Sequence, residues 1–78
     1  MIKELDCVVL TAELADLGLA AGDVGAVVHV YEGGRSYQVE FTTYDGRTVA
    51  VAKVSANQIR PLRSREIHHA RAFEAAVR

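Results

Sequence analysis

Cys7 and His29 are the thiol and the strand imidazole from which nucleophilic catalysis would have to be built. That chemistry needs the two within hydrogen-bond reach and a third group to orient the base. Cys7 sits in the apolar run Leu5-Asp6-Cys7-Val8-Val9-Leu10, where a cysteine serves as a small core hydrophobe. His68 and His69 are adjacent, so on a helix they point about 100° apart and do not converge on one metal ion, which needs a spacing near i, i+4. Paired carboxylates in a cleft and a phosphate-cradling loop between a strand and a helix are both missing from the pattern. The reading is therefore a non-enzyme with no catalytic residue, no metal ligand, no cofactor and no small-molecule substrate.

Binding chemistry has more candidates. Tyr31 and Tyr44, with Arg35 and Arg47 beside them, are the aromatics and cations from which a base-stacking platform would be made, although rim tyrosines covering a small core use the same residues. Arg60, Arg63, Arg65 and Arg71 cluster near the C-terminal end. Residues 1–59 hold four basic and eight acidic groups, net −4, whereas residues 60–78 hold five Arg against Glu66 and Glu74, net +3. A mildly acidic body with a basic tail is not the polycation that phosphate neutralisation requires. It suits a tail that is simply solvated, or one that docks on an acidic surface.

The elements that must position these residues come from a chain of 78 residues, half of them apolar, with one Cys and no Trp. One small domain follows, too short for two halves with a cleft between them. No apolar run approaches the ~18 residues of a membrane span. Lys3, Glu4 and Asp6 interrupt any leader-like segment, and a single cysteine does not make a disulfide framework, so a cytoplasmic protein is expected. Residues 5–10, 24–31, 36–43, 48–54 and 59–62 read as strands, with Val24, Ala26, Val28 and Val30 assigned to one face of the second and Val49 and Val51 to one face of the fourth. Glu32-Gly33-Gly34-Arg35 and the two-residue Asp45-Gly46 loop read as hairpin turns, and Ser55 to Gln58 as one helical turn. Five short strands predict a small closed or half-closed antiparallel barrel over residues 1–62. In residues 63–78 the period changes: Ile67, Ala70, Phe73 and Val77 recur at helical spacing behind a candidate N-cap at Ser64, which predicts a C-terminal amphipathic α-helix. An isolated helix of that length is marginal in water, so its stripe calls for a cover, and a second chain is the favoured one.

The most specific local signal is Gly22-Asp23-Val24-Gly25, where the glycines permit close backbone approach and Asp23 can bond its own turn. Gly-Asp-x-Gly-x-Val followed by a strand resembles the KOW-type entry strand of SH3-like barrels. More closely, Leu5-Asp6-Cys7-Val8-Val9-Leu10, Gly18-Leu19, Gly22-Asp23-Val24-Gly25, Val28-His29-Val30-Tyr31, Tyr37-Gln38-Val39-Glu40-Phe41, Asp45-Gly46 and Gln58-Ile59-Arg60-Pro61 together resemble a family of small bacterial and cyanobacterial proteins of unknown function. The resemblance implies an SH3-like barrel and a place in a two-protein pair, and it carries no chemistry. KOW domains that touch RNA surround this turn with Lys and Arg, whereas the nearest charges here are Asp16, Asp23 and Glu32.

These readings converge on a non-enzymatic protein-interaction module, as the antitoxin- or immunity-like or regulatory half of a pair, or as a homo-oligomer. The partner-binding candidates are Ile67, Phe73, Val77, Arg63, Arg65, Arg71, Tyr31 and Tyr44, and the turns are built on Gly22, Asp23, Gly25, Asp45 and Gly46. The alternatives are a KOW-like nucleic-acid-binding domain and an accessory subunit that supports an enzyme.

Overall fold

The computed structural model describes residues 2–68 and 70–73. Five strands, β1 (Cys7–Leu10), β2 (Val24–Tyr31), β3 (Ser36–Thr42), β4 (Thr48–Ser55) and β5 (Ile59–Pro61), form one antiparallel sheet in the order β4-β3-β2-β1-β5. Single 3-10 turns lie at Ala15–Leu17 and Ala56–Gln58. The second is held by a reciprocal cap, in which Ser55 N–H donates to the Gln58 side-chain oxygen at 2.8 Å.

The expected SH3-like barrel does not form. The five strands make an open sheet whose edges, β4 and β5, are not paired with each other. Three residues are too few for β5 to lie along the eight of β4, and Pro61 brings no N–H to a further ladder. The expected C-terminal α-helix is also absent among the described residues. Ser64 and Arg65 form a turn, closed by the Glu66 N–H on the Arg63 carbonyl at 3.1 Å, and residues 70–73 are irregular. A marginal helix gives way here to ion pairs and a ring contact with the loop before β2, described below. Val77 lies outside the described residues, as do His69 and Glu74.

One face of the sheet carries the core, a single cluster drawn from all five strands and Leu19. Tyr37, Val39 and Phe41 of β3 all point into it, as their alternation predicts. β2 departs from simple alternation. Its pairing shifts between Val27 and His29 opposite the adjacent residues Val39 and Gln38, so Val28 is the extra residue of a bulge. Gly25 and Val27 face inward before it and Val30 packs on the core after it, while Val28 and His29 are both exposed. β4 shifts likewise between Ala50 and Thr48. Its buried residues are Ala52 and Val54, with Ala50 and Val49 packed at the margin, and Val51 faces solvent.

The β2–β3 connection has Glu32, Gly33 and Gly34 all at positive φ, 46°, 67° and 103°. The β3–β4 connection spans residues 43–47 and is longer than the expected two-residue loop. Gly46, at φ 91°, donates to the Thr43 carbonyl at 2.9 Å, and the Thr43 hydroxyl bonds the Asp45 carboxylate. That hydroxyl, followed by the Arg47 backbone N–H, lowers the Asp45 pKa.

Candidate functional site

Residues 14–23 form an ordered loop at the sheet margin. Leu14 and Leu19 exchange backbone hydrogen bonds of 2.9 and 3.1 Å around the 3-10 turn, and Gly18 closes that turn at φ 72°. Asp23 then organises the entry into β2: its Oδ2 accepts the Ala20 N–H at 2.9 Å, and its own N–H donates to the Ala20 carbonyl at 3.0 Å. Gly22 and Asp23 clamp Leu10 from both sides, through Gly22 N–H on the Leu10 carbonyl at 2.8 Å and Leu10 N–H on the Asp23 carbonyl at 2.9 Å. The loop is thereby tied to the core strand β1. Toward the C-terminal segment it presents the Asp23 carboxylate and the Gly18 carbonyl.

The C-terminal segment lies on that face. Arg71 donates through Nε to Asp23 Oδ1 at 2.9 Å and through Nη2 to Asp23 Oδ2 at 2.5 Å, and Nη2 also reaches the Gly18 carbonyl at 3.0 Å. Two parallel bonds from a planar guanidinium to a carboxylate are a geometry that lysine does not reproduce. The carboxylate raises the Arg71 pKa above its ordinary value. Two residues on, the Phe73 ring lies against Gly18, with its Cε1 only 3.2 Å from where a Cβ would stand. Beneath the segment is a cleft of about 520 Å³ whose apolar lining includes Leu19, Val24, Phe41 and Val49, with Tyr44 at its rim. The arrangement can hold a cation and an aromatic ring side by side.

A second anchor precedes it. Arg60 Nη1 and Nη2 meet the two Glu66 carboxylate oxygens at 2.8 and 2.7 Å, and the Arg63 N–H donates to Glu66 Oε1 at 2.7 Å. Arg60, helped by that N–H, holds the Glu66 pKa down at about 2, and Glu66 in turn raises that of Arg60. A carboxyl whose pKa falls on folding favours the native state above its unfolded pKa, near 4.5, and that contribution disappears as the pH drops toward 2. Acid melts of the wild type should therefore show a loss of stability between pH 4.5 and 2 that Glu66→Gln lacks. Identical acid profiles for the two would remove the pair from the account.

The sequence-derived candidates scatter. Arg71 and Phe73 come together on the Gly18/Asp23 turn of their own chain. Ile67 is 95% exposed, and Arg63 and Arg65 are exposed as well. Tyr31 and Tyr44 sit at opposite ends of β3, whose seven residues span ~23 Å, so they do not form one platform. Tyr31 is half-buried beneath Lys53, whose Nζ lies 4.7 Å from the ring centroid, with His29 edge-on at 4.5 Å. Tyr44 is fully exposed. Gly18 and Glu66 are contact residues that residue type and spacing alone do not mark. The only hint was the Gly18-Leu19 pair inside a loop.

Cys7 is exposed, contrary to its expected place in the core: β1 gives Val8 and Leu10 to the core cluster, and Cys7 falls on the alternate face at the first position of the strand. It pairs with Ala26, three positions along β2 from His29 and so ~10 Å away. Cys7 and His68 both line an open cleft of about 350 Å³, with no hydrogen bond between them. Among the described residues no group of three His, Cys, Asp or Glu side chains is placed to hold a metal ion, and no helix is long and apolar enough to cross a membrane.

A family model described as a domain of unknown function (DUF4926) matches residues 4–61. No curated protein and no solved structure matches the chain.

Proposed function

The chain belongs to the DUF4926 family of domains of unknown function, and from that premise we propose that it is a cytoplasmic protein-interaction module, the regulatory or antitoxin-like half of a protein pair. The observation that carries this reading is the cleft beside the Gly18/Asp23 turn, floored by Leu19 and Phe41 and rimmed by the exposed Tyr44. An apolar floor, a polar anchor and a solvent-facing aromatic are the ingredients of a protein-binding hot spot.

The KOW-like nucleic-acid alternative has less behind it. Two of its four arginines, Arg60 and Arg71, have carboxylate partners, and the two tyrosines lie too far apart to stack neighbouring bases.

The test is native mass spectrometry of the tagged protein purified from its own cells at moderate salt, with Tyr44→Ala and Asp23→Asn purified alongside. A stoichiometric protein companion, whether a second copy or another chain, should accompany the wild type and be depleted from both variants. A bare monomer in every sample counts against the reading.

A further inference from the structure

The Gly18/Asp23 turn meets the segment Arg71-Ala72-Phe73 as a receptor meets a short peptide: a two-pronged carboxylate and a carbonyl for the guanidinium, and a glycine face for the ring two residues on. We infer that this groove is an Arg-x-Phe receptor and that it also takes the C-terminal segment of a second copy of the chain, so that two molecules associate by exchanging tails. The inference deepens the protein-interaction reading and rests on it.

Three observations favour the second copy as occupant. The segment already fits the groove, held to the body by the Arg71 hydrogen bonds and the Phe73 ring contact, and no strand or helix forms among its described residues. The exchanging arm, residues 67–78, carries Arg71 and Arg78 against Glu74, net +1, and residues 1–66 are net −2, so charge draws one molecule's arm to another's body as readily as to its own. Exchange of an element between identical chains also needs no contact that the single chain does not already make. The arm is short, however. Glu66 stays tied to Arg60, and the five residues from there to Arg71 reach at most ~18 Å, so the two bodies must come close. Ile67, 95% exposed, lies at the start of that arm, where the second body would approach.

The tethered tail competes with any tail from outside, because the linker holds it at high effective concentration. The test therefore vacates the groove in the full-length chain with Arg71→Ala and Phe73→Ala, two positions outside the core cluster. A fluorescent peptide of residues 67–78 is then titrated onto it and its anisotropy read.

Saturable binding is expected. Arg71→Ala in the peptide, or Asp23→Asn in the receptor chain, should weaken it about tenfold or more, the value of a charge-assisted pair. No saturation into the millimolar range, with the receptor chain still melting cooperatively, overturns the inference. So does equal binding of the Arg71→Ala peptide. Should the doubly substituted chain not fold, light scattering of the wild type decides: mass rising with concentration, and not rising for Arg71→Ala alone, supports exchange, and constant mass overturns it. A null peptide result beside a stoichiometric companion in the native spectrum removes only the self-exchange, leaving the broader reading in place.

Discussion

Gly25→Ala is expected to cost about 3 kcal/mol, most of the ~3–5 kcal/mol that a single core of this size supplies. Two effects oppose each other. Alanine narrows the unfolded ensemble, which by itself favours folding by ~0.4–1 kcal/mol wherever the native backbone accepts it. Gly25 is not among the glycines at positive φ, so the backbone itself raises no objection. Space does. An added Cβ would stand 2.6 Å from Val39 Cγ1, 2.8 Å from the Glu40 carbonyl oxygen and 2.9 Å from Phe41 Cδ1. Val39 and Phe41 are fully packed, and the Glu40 carbonyl belongs to β3, which is paired on both sides, so none of the three can withdraw cheaply. The clash wins over the entropy gain. A urea titration followed by circular dichroism should show the midpoint falling by well over half, and an unchanged midpoint would mean that β2 and β3 can part without penalty.

That close approach explains why part of the architecture could be read from residue types. Gly22-Asp23-Val24-Gly25 stands out because its backbone must make a turn and then lie against a neighbouring strand, demands that few residue types meet. Tyr37, Val39 and Phe41 were legible because β3 keeps a strict period of two between two paired neighbours. β2 and β4 were legible as strands but not by face. In each, one extra residue shifts the register, and the neighbouring valines and alanines leave the alternation looking equally good either way.

The tail failed for a different reason. Ile67, Ala70 and Phe73 have helical spacing, yet a period records only where apolar groups fall. It does not record that Asp23, 48 positions away, offers Arg71 a bidentate partner. A short helix with an uncovered stripe gains less than a segment whose charge and ring are both received by the body. Closure of the sheet does not follow from strand number: β5 is three residues long and pairs with β1 alone, and Pro61 offers no N–H to a further strand.

Phe41→Ala should be the most damaging truncation of the groove, costing ~3–5 kcal/mol, whereas Phe73→Ala should cost only about 1 kcal/mol. Both phenylalanines line the same cleft, but one belongs to the sheet and the other to the C-terminal segment. Phe41 is 2% exposed, belongs to the core cluster and is held on a strand paired on both sides, so its removal leaves a cavity that the sheet cannot collapse to fill. Phe73 is half-buried on an irregular segment and rests on the loop at Gly18, so its loss returns one face of a loop to water. The expected experiment is a pair of thermal melts with light scattering on the same samples. Phe41→Ala should lower the midpoint by well over 10 °C, at ~4–8 °C per kcal/mol for a domain of this size, while Phe73→Ala shifts it by no more than several degrees. The binding consequences run the other way. Phe73→Ala leaves the groove floor intact and open to an incoming segment, so it should increase capture of the 67–78 peptide while barely touching the fold. Equal losses of stability for the two variants would mean that the tail is part of the core rather than a guest on it, and the groove would then not be a site that another molecule can enter.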